Sequence, residues 1–160
     1  MIHPQALTKM FSYNAELIIK QSAEMTHTES LLIPPFEANT FNWVLGHIVS
    51  ARSIPLRNVR EEPIWTDNQR ARYRNGSANV VADGDGVFLL EELVTDFKLS
   101  QERLLTGLER MTYEDMCKLS GYQHNTIGDS LAYFHFHEAH HIGQILYLAQ
   151  MAGKKGVWLG

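Results

Sequence analysis

Four of the chain's eight histidines fall within seven positions, His135-Phe-His-Glu-Ala-His-His141. On a helix, His137 and His141 sit one turn apart, about 6 Å in rise and about 40° in rotation, so both rings reach one ion. A helix also holds the two rings in place, which leaves little ordering entropy to lose on binding. The spacing alone is a weak signal. Position strengthens it. Ile127, Leu131, Phe134, Glu138, His141, Ile145 and Leu148 step by four and three through the same segment, and His137 and His141 both lie on its inward side. His47 lies on the inward side of another helix, one turn after Trp43. Buried, unpaired imidazoles cost free energy, and a shared cation removes that cost. Three neutral imidazoles suit zinc or nickel, and copper and iron also fit. Three protein ligands leave a position open for water or substrate, as in catalytic zinc sites. The competing reading is three core or surface histidines bonded to carbonyls and carboxylates, and spacing does not separate the two.

Other polar residues cluster around these three. Glu138 adjoins His137 and is the candidate catalytic carboxylate, accepting from a ligand imidazole or moving protons. A plain solvated carboxylate is the alternative. Gln144, one turn past His141, is placed to orient a ring or cap a polar pocket, and helix packing explains it equally well. His135 and His140 point elsewhere on the helical wheel, and His3, His27 and His124 have no evident partner. Six of the eight arginines, Arg52, Arg57, Arg60, Arg70, Arg72 and Arg74, fall in one stretch. They could hold carboxylates of an anionic ligand. A solvated basic surface, partly neutralised by Glu61, Glu62 and Asp67, is the plainer reading. The lone Cys117 excludes an internal disulfide and reads as a packed or surface thiol.

The elements that must position these groups are helical. Pro4 suits a first turn, and apolar residues from Leu7 to Met25 follow at helical spacing, fading near Thr28 ahead of Pro34-Pro35. A second helix starts at Asn39 or Thr40 and weakens around Pro55. Residues 59–86 show no period, and Val80-Val81 could form a short extended piece. A third helix carries Leu90, Val94, Phe97, Gln101, Leu104, Leu108 and Met111, with Asp85 as its cap. Gln101 interrupts that seam and reads as a satisfied or edge-located amide. The fourth begins at Thr126-Ile-Gly-Asp129, a capping-box pattern, and stops at Gly153. The expectation is one all-α domain over 1–160, a four-helix bundle with a long loop between helices 2 and 3.

Bulk composition narrows the function classes. Apolar residues at 44% and charged residues at 20% describe an ordinary folded domain rather than a disordered one. A net charge of -4 gives no global pull toward nucleic acid or an anionic membrane. No apolar run approaches the roughly 20 residues that span a bilayer. The opening Met-Ile-His-Pro-Gln lacks a signal peptide's layout, and with the lone cysteine it points to the cytoplasm.

Two motifs carry a resemblance. Asn42-Trp-Val-Leu-Gly-His47-Ile resembles the second-helix motif of the DinB-like metal-binding four-helix-bundle proteins. His137-Glu-Ala-His-His141-Ile-Gly-Gln144 resembles their last-helix motif, typically His-x-x-His-His-Arg-Gly-Gln. The order of elements agrees along nearly the whole chain. The resemblance implies an up-down-down-up bundle, usually a homodimer, with one divalent metal ion on His47, His137 and His141. Characterised relatives include thiol transferases using bacillithiol or similar low-molecular-weight thiols, and a mycothiol-dependent isomerase. Ile142 departs from the arginine that relatives often carry, which puts in doubt any anion contact at that position.

Three functions compete on these grounds. The first is a metal-dependent thiol S-transferase acting on small electrophiles with a low-molecular-weight thiol as cosubstrate. The second is a metal-dependent hydrolase with Glu138 as its nominal base. The third is a non-enzymatic metal-binding stress protein. A narrow apolar pocket with a basic rim favours the first, and a carboxylate at the open position favours the second. A metal site with no cavity leading to it favours the third. An apolar stripe on the first or last helix is the expected dimer face.

Overall fold

The computed structural model describes residues 2–122 and 126–156. Helix α1 (Pro4–Ser22) opens on Pro4 as its sequence predicts. It ends before Thr28, because Thr26 takes an extended conformation (φ -84, ψ 160) and caps a new short helix, α2 (His27–Ser30). Thr26 and Glu29 form a capping box there, and a residue spent as an N-cap cannot continue the helix before it.

Thr40 caps α3 (Phe41–Ala51), accepting from the Trp43 N–H. The helix breaks at Arg52 and resumes as α4 (Ser53–Asn58). Pro55 is the cause, since it lacks the N–H that the Ala51 carbonyl would otherwise receive. The long connection that follows is folded. It carries α5 (Asp67–Ala71) and buries Val59, Trp65, Tyr73 and Val80. Val80 and Val81 form no strand; among the described residues there is only an isolated bridge, Leu119 to Thr126. Val80 instead packs into the core, and its carbonyl accepts from the Thr40 hydroxyl at 2.7 Å.

Helix α6 (Leu90–Glu109) starts later than Asp85 allows. Gly86 adopts a left-handed φ of 73°, which turns the chain and leaves Asp85 outside the helix. Glu92 takes the cap's role by accepting from the Leu89 N–H at 2.7 Å. A short α7 (Tyr113–Met116) leads to α8 (Ile127–Met151). Thr126 and Asp129 form the expected capping box. At the other end, Gly153 N–H bonds to Gln150 and Lys154 N–H to Ala149, with Gly153 at φ 78°.

Helices α1 and α3 each pack against both α6 and α8, which gives the all-helical core its four walls. Among the described residues the core is split into two apolar clusters. One joins Ile18, Ile48, Phe97 and Ile145. The other joins Phe11, Leu56, Leu104 and Leu131. Buried Asn14, Arg52, Ser100, Gln101 and Glu138 fall between these residues along their helices. Gln101 is neither satisfied nor at an edge: both amide atoms are buried without a partner among the described residues. No helix among the described residues is long and apolar enough to cross a membrane.

Candidate metal centre

Each imidazole of the predicted triad sits on a helix whose inward face the sequence pattern marks. His47 projects from the middle of α3, and His137 and His141 from the middle of α8, the two helices packing face to face. Their Nε2 atoms converge: His47 to His137 is 3.1 Å and His141 to His137 is 3.2 Å. An ion about 2.0–2.1 Å from tetrahedral ligands separates them by about 3.3 Å, so the spacing is close to that of a ligated set.

The outer ring nitrogens decide what faces inward. His47 Nδ1–H donates to the Tyr73 carbonyl at 2.7 Å. His141 Nδ1–H donates to Gln144 Oε1 at 2.7 Å. A neutral imidazole carries one N–H, so His47 and His141 both point bare lone pairs at the shared point. His137 Nε2 has a single proton to offer and two acceptors to serve. A divalent cation takes all three lone pairs together, so the donor set fits a metal better than it fits itself.

Protonation is set the same way. Burial lowers the pKa of His47 against the opposing effect of the Tyr73 carbonyl. Burial, then the neighbouring His47 and His140, lowers His137 to about 4. Burial lowers His141 to about 4 despite its bond to Gln144. All three are therefore neutral, ligand-ready imidazoles at neutral pH.

The local sequence around His47 builds its support. Trp43 stacks on the His47 ring at 4.8 Å, nearly parallel at 8°, and its indole N–H donates to Ser77 Oγ. Gly46 leaves room for the Tyr73 ring, since a Cβ there would lie 2.2 Å from Tyr73 Cδ1. The Tyr73 hydroxyl donates to Asn42 Oδ1 at 3.1 Å and accepts from the Phe88 N–H at 2.9 Å. Asn42, Gly46 and Tyr73 thus set the carbonyl that orients His47. Tyr73 was not singled out from sequence, because it lies 26 positions from His47 in the stretch without periodicity.

A cavity of about 560 Å³ leads to the three imidazoles. Trp43, Tyr122, Tyr133 and Phe134 supply aromatic wall, and Arg70, Arg74 and His140 supply the cationic and polar rim. No carboxylate lines it among the described residues.

Several expectations need correction. Glu138 does not line the cavity; it is buried, and its two oxygens accept from Arg52 Nε at 2.8 Å and Nη2 at 2.9 Å. Arg52 likewise belongs to no basic surface, being 2% exposed, bonded to Ser100 and stacked 4.0 Å from the Phe97 ring centroid. Arg60 pairs with Asp115, and Arg72 donates to the Ala78 and Asn79 carbonyls. His27 has partners after all: Nε2 faces Asp83 at 2.7 Å, and Nδ1 accepts from the Leu90 N–H. His3 stacks on Tyr113, and His135 packs edge-on against Phe11. His124 lies outside the described residues. Cys117 is exposed, in keeping with the surface-thiol reading, and Ile142 is buried in the apolar core.

The family model of the DinB superfamily matches residues 19–145, a span that holds all three imidazoles and Gln144. No curated protein matches the chain.

Proposed function

The chain belongs to the DinB superfamily, and from that premise we propose that it is a metal-dependent thiol S-transferase, with one zinc or nickel ion on His47, His137 and His141. The observation that carries this reading is the open floor of the cavity. Three inward Nε2 atoms meet beneath aromatic walls and a rim of Arg70 and Arg74, with no carboxylate among the described lining residues. A bound ion supplies a lowered thiol pKa, making thiolate abundant near neutral pH. Arg70 and the exposed Arg74 hold carboxylates of a low-molecular-weight thiol. Ser53 and Asp67 brace the Arg70 guanidinium from the side. Trp43 and Phe134 exclude water from the sulfur. The thiol proton leaves to solvent, a carbon–sulfur bond forms at the electrophile, and the leaving group departs with its electron pair.

Hydrolysis is the weaker reading, because its nominal base, Glu138, is committed to Arg52. A purely metal-storing role is weaker too, because the cavity opens onto the imidazoles. We propose separately that the protein is a cytoplasmic homodimer in up-down-down-up order, and its net charge of -4 supports a reading without nucleic acid. Exposed Tyr13 on α1 and Phe136 on α8 support a dimer face there.

The test is to load the chain with zinc or nickel and supply several thiols with small electrophiles. A metal-dependent rate, lost in His47→Ala and His141→Ala, is expected. No rate above background with any thiol overturns the transferase reading. Equal metal content in the parent and both variants removes the site.

A further inference from the structure

A second cavity of about 450 Å³ lies against the first and shares two lining residues with it, Asn39 and Gln144. Its remaining walls are mostly apolar, from Phe36, Val44, Tyr147 and Leu148, and Glu37 is the charged residue at its edge. We propose that this cavity is the subsite for the second reactant, an uncharged small molecule with an aromatic or alkyl body. The inference rests on the transferase reading of the metal cavity and names the substrate class that reading leaves open.

Three observations carry it. The partition between the cavities is thin: Gln144, which lines both, is the residue whose Oε1 holds His141 Nδ1 at 2.7 Å. Asn39 is the other shared residue, and in this proposal the reactive end of the molecule passes between Asn39 and Gln144 into the metal cavity. The two cavities also differ in charge. Arg70 and Arg74 line the first, whereas Glu37 lines the second, which has no cation among its described lining residues. An anionic thiol is drawn to the first and repelled by the second, and an uncharged apolar molecule has no such penalty. Finally, Phe36 is 62% exposed and Tyr147 66% exposed, so an apolar body seated between them removes ring surface from water. The volume falls in the ordinary range for small-molecule sites, about 300–1,000 Å³.

The experiment uses the full zinc-loaded chain and two probes, followed separately. N-phenyl-1-naphthylamine, uncharged and apolar, is titrated by fluorescence. Mercaptosuccinate, an anionic thiol, is titrated by calorimetry. Phe36→Asp and Tyr147→Asp are expected to weaken naphthylamine binding about tenfold, with zinc content and mercaptosuccinate binding unchanged. Ala38→Trp, which fills the cavity without adding charge, is expected to do the same. Arg70→Ala with Arg74→Ala reverses the pattern. Naphthylamine binding that ignores all three cavity variants overturns the subsite while leaving the thiol reading intact. A parent chain that holds zinc but no mercaptosuccinate overturns the thiol reading instead. If Phe36→Asp halves the mass in solution and leaves naphthylamine binding unchanged, a second copy covers the groove and the subsite is overturned.

Discussion

The chemistry of the centre is decided by which nitrogen of each ring carries the proton, and residues beyond the ligands decide that. Gln144 holds His141 in the tautomer that aims Nε2 inward. Gln144→Leu keeps the bulk and removes the acceptor, so metal affinity is expected to fall about 10–100-fold by competition against a chromophoric chelator. Proton binding offers a second check. His137 and His141 titrate at about 4 in the folded chain against an ordinary 6.5. Between those values the unfolded chain holds protons that the folded, metal-free chain does not. Stability is therefore full above the ordinary value and falls as the pH drops from 6.5 toward 4. Urea unfolding of metal-free protein at neutral and mildly acidic pH should show that loss, and His137→Gln with His141→Gln should reduce it, leaving the share of His47 and His135, whose burial also lowers their pKa. Glu29 also has a lowered pKa, about 2, from Lys154 and Thr26, but its loss of stabilisation begins only below its ordinary 4.5.

At the scale of elements, the centre depends on how tightly the 59–86 connection lies on α3. Gly46→Ala places a Cβ against the Tyr73 ring, which is fully buried and tied at its hydroxyl to Asn42 and Phe88. The ring has nowhere to retreat, so the substitution should cost about 1–3 kcal/mol in urea unfolding. It should also weaken metal binding, because the Tyr73 carbonyl that orients His47 moves with the ring. This dependence separates what local sequence reveals from what it hides. Helical periodicity placed His47, His137 and His141 on inward faces, because a repeat of 3.6 residues is a local property. Thr40 and Thr126 were readable as caps for the same reason. The connection was opaque because its order comes from contacts with α3, such as Tyr73 to Asn42 over 31 positions, and from no repeat of its own. Asp85 misled as a cap because the left-handed turn at Gly86 outweighs the propensity of its neighbour.

Across the whole molecule, the buried ion pair of Arg52 and Glu138 joins the α3–α4 break to α8, 86 positions away, where the two apolar clusters meet. No local pattern announces such a pair, and a carboxylate beside a predicted ligand reads naturally as a catalytic group. Burial changes that reading: the pair is 2% and 3% exposed, so neither charge has water to fall back on. Removing one partner leaves the other buried and uncompensated, and Glu138→Ala is expected to cost about 3–5 kcal/mol of stability. Replacing both, Arg52→Met with Glu138→Leu, removes both desolvation penalties and should restore most of that loss. The same comparison separates structure from catalysis. If Glu138 serves the fold, the double variant regains stability, holds metal like the parent, and keeps the parent's pH profile for thiol transfer. A double variant that is stable and metal-loaded yet has lost the alkaline or acidic limb of that profile would return Glu138 to the reaction.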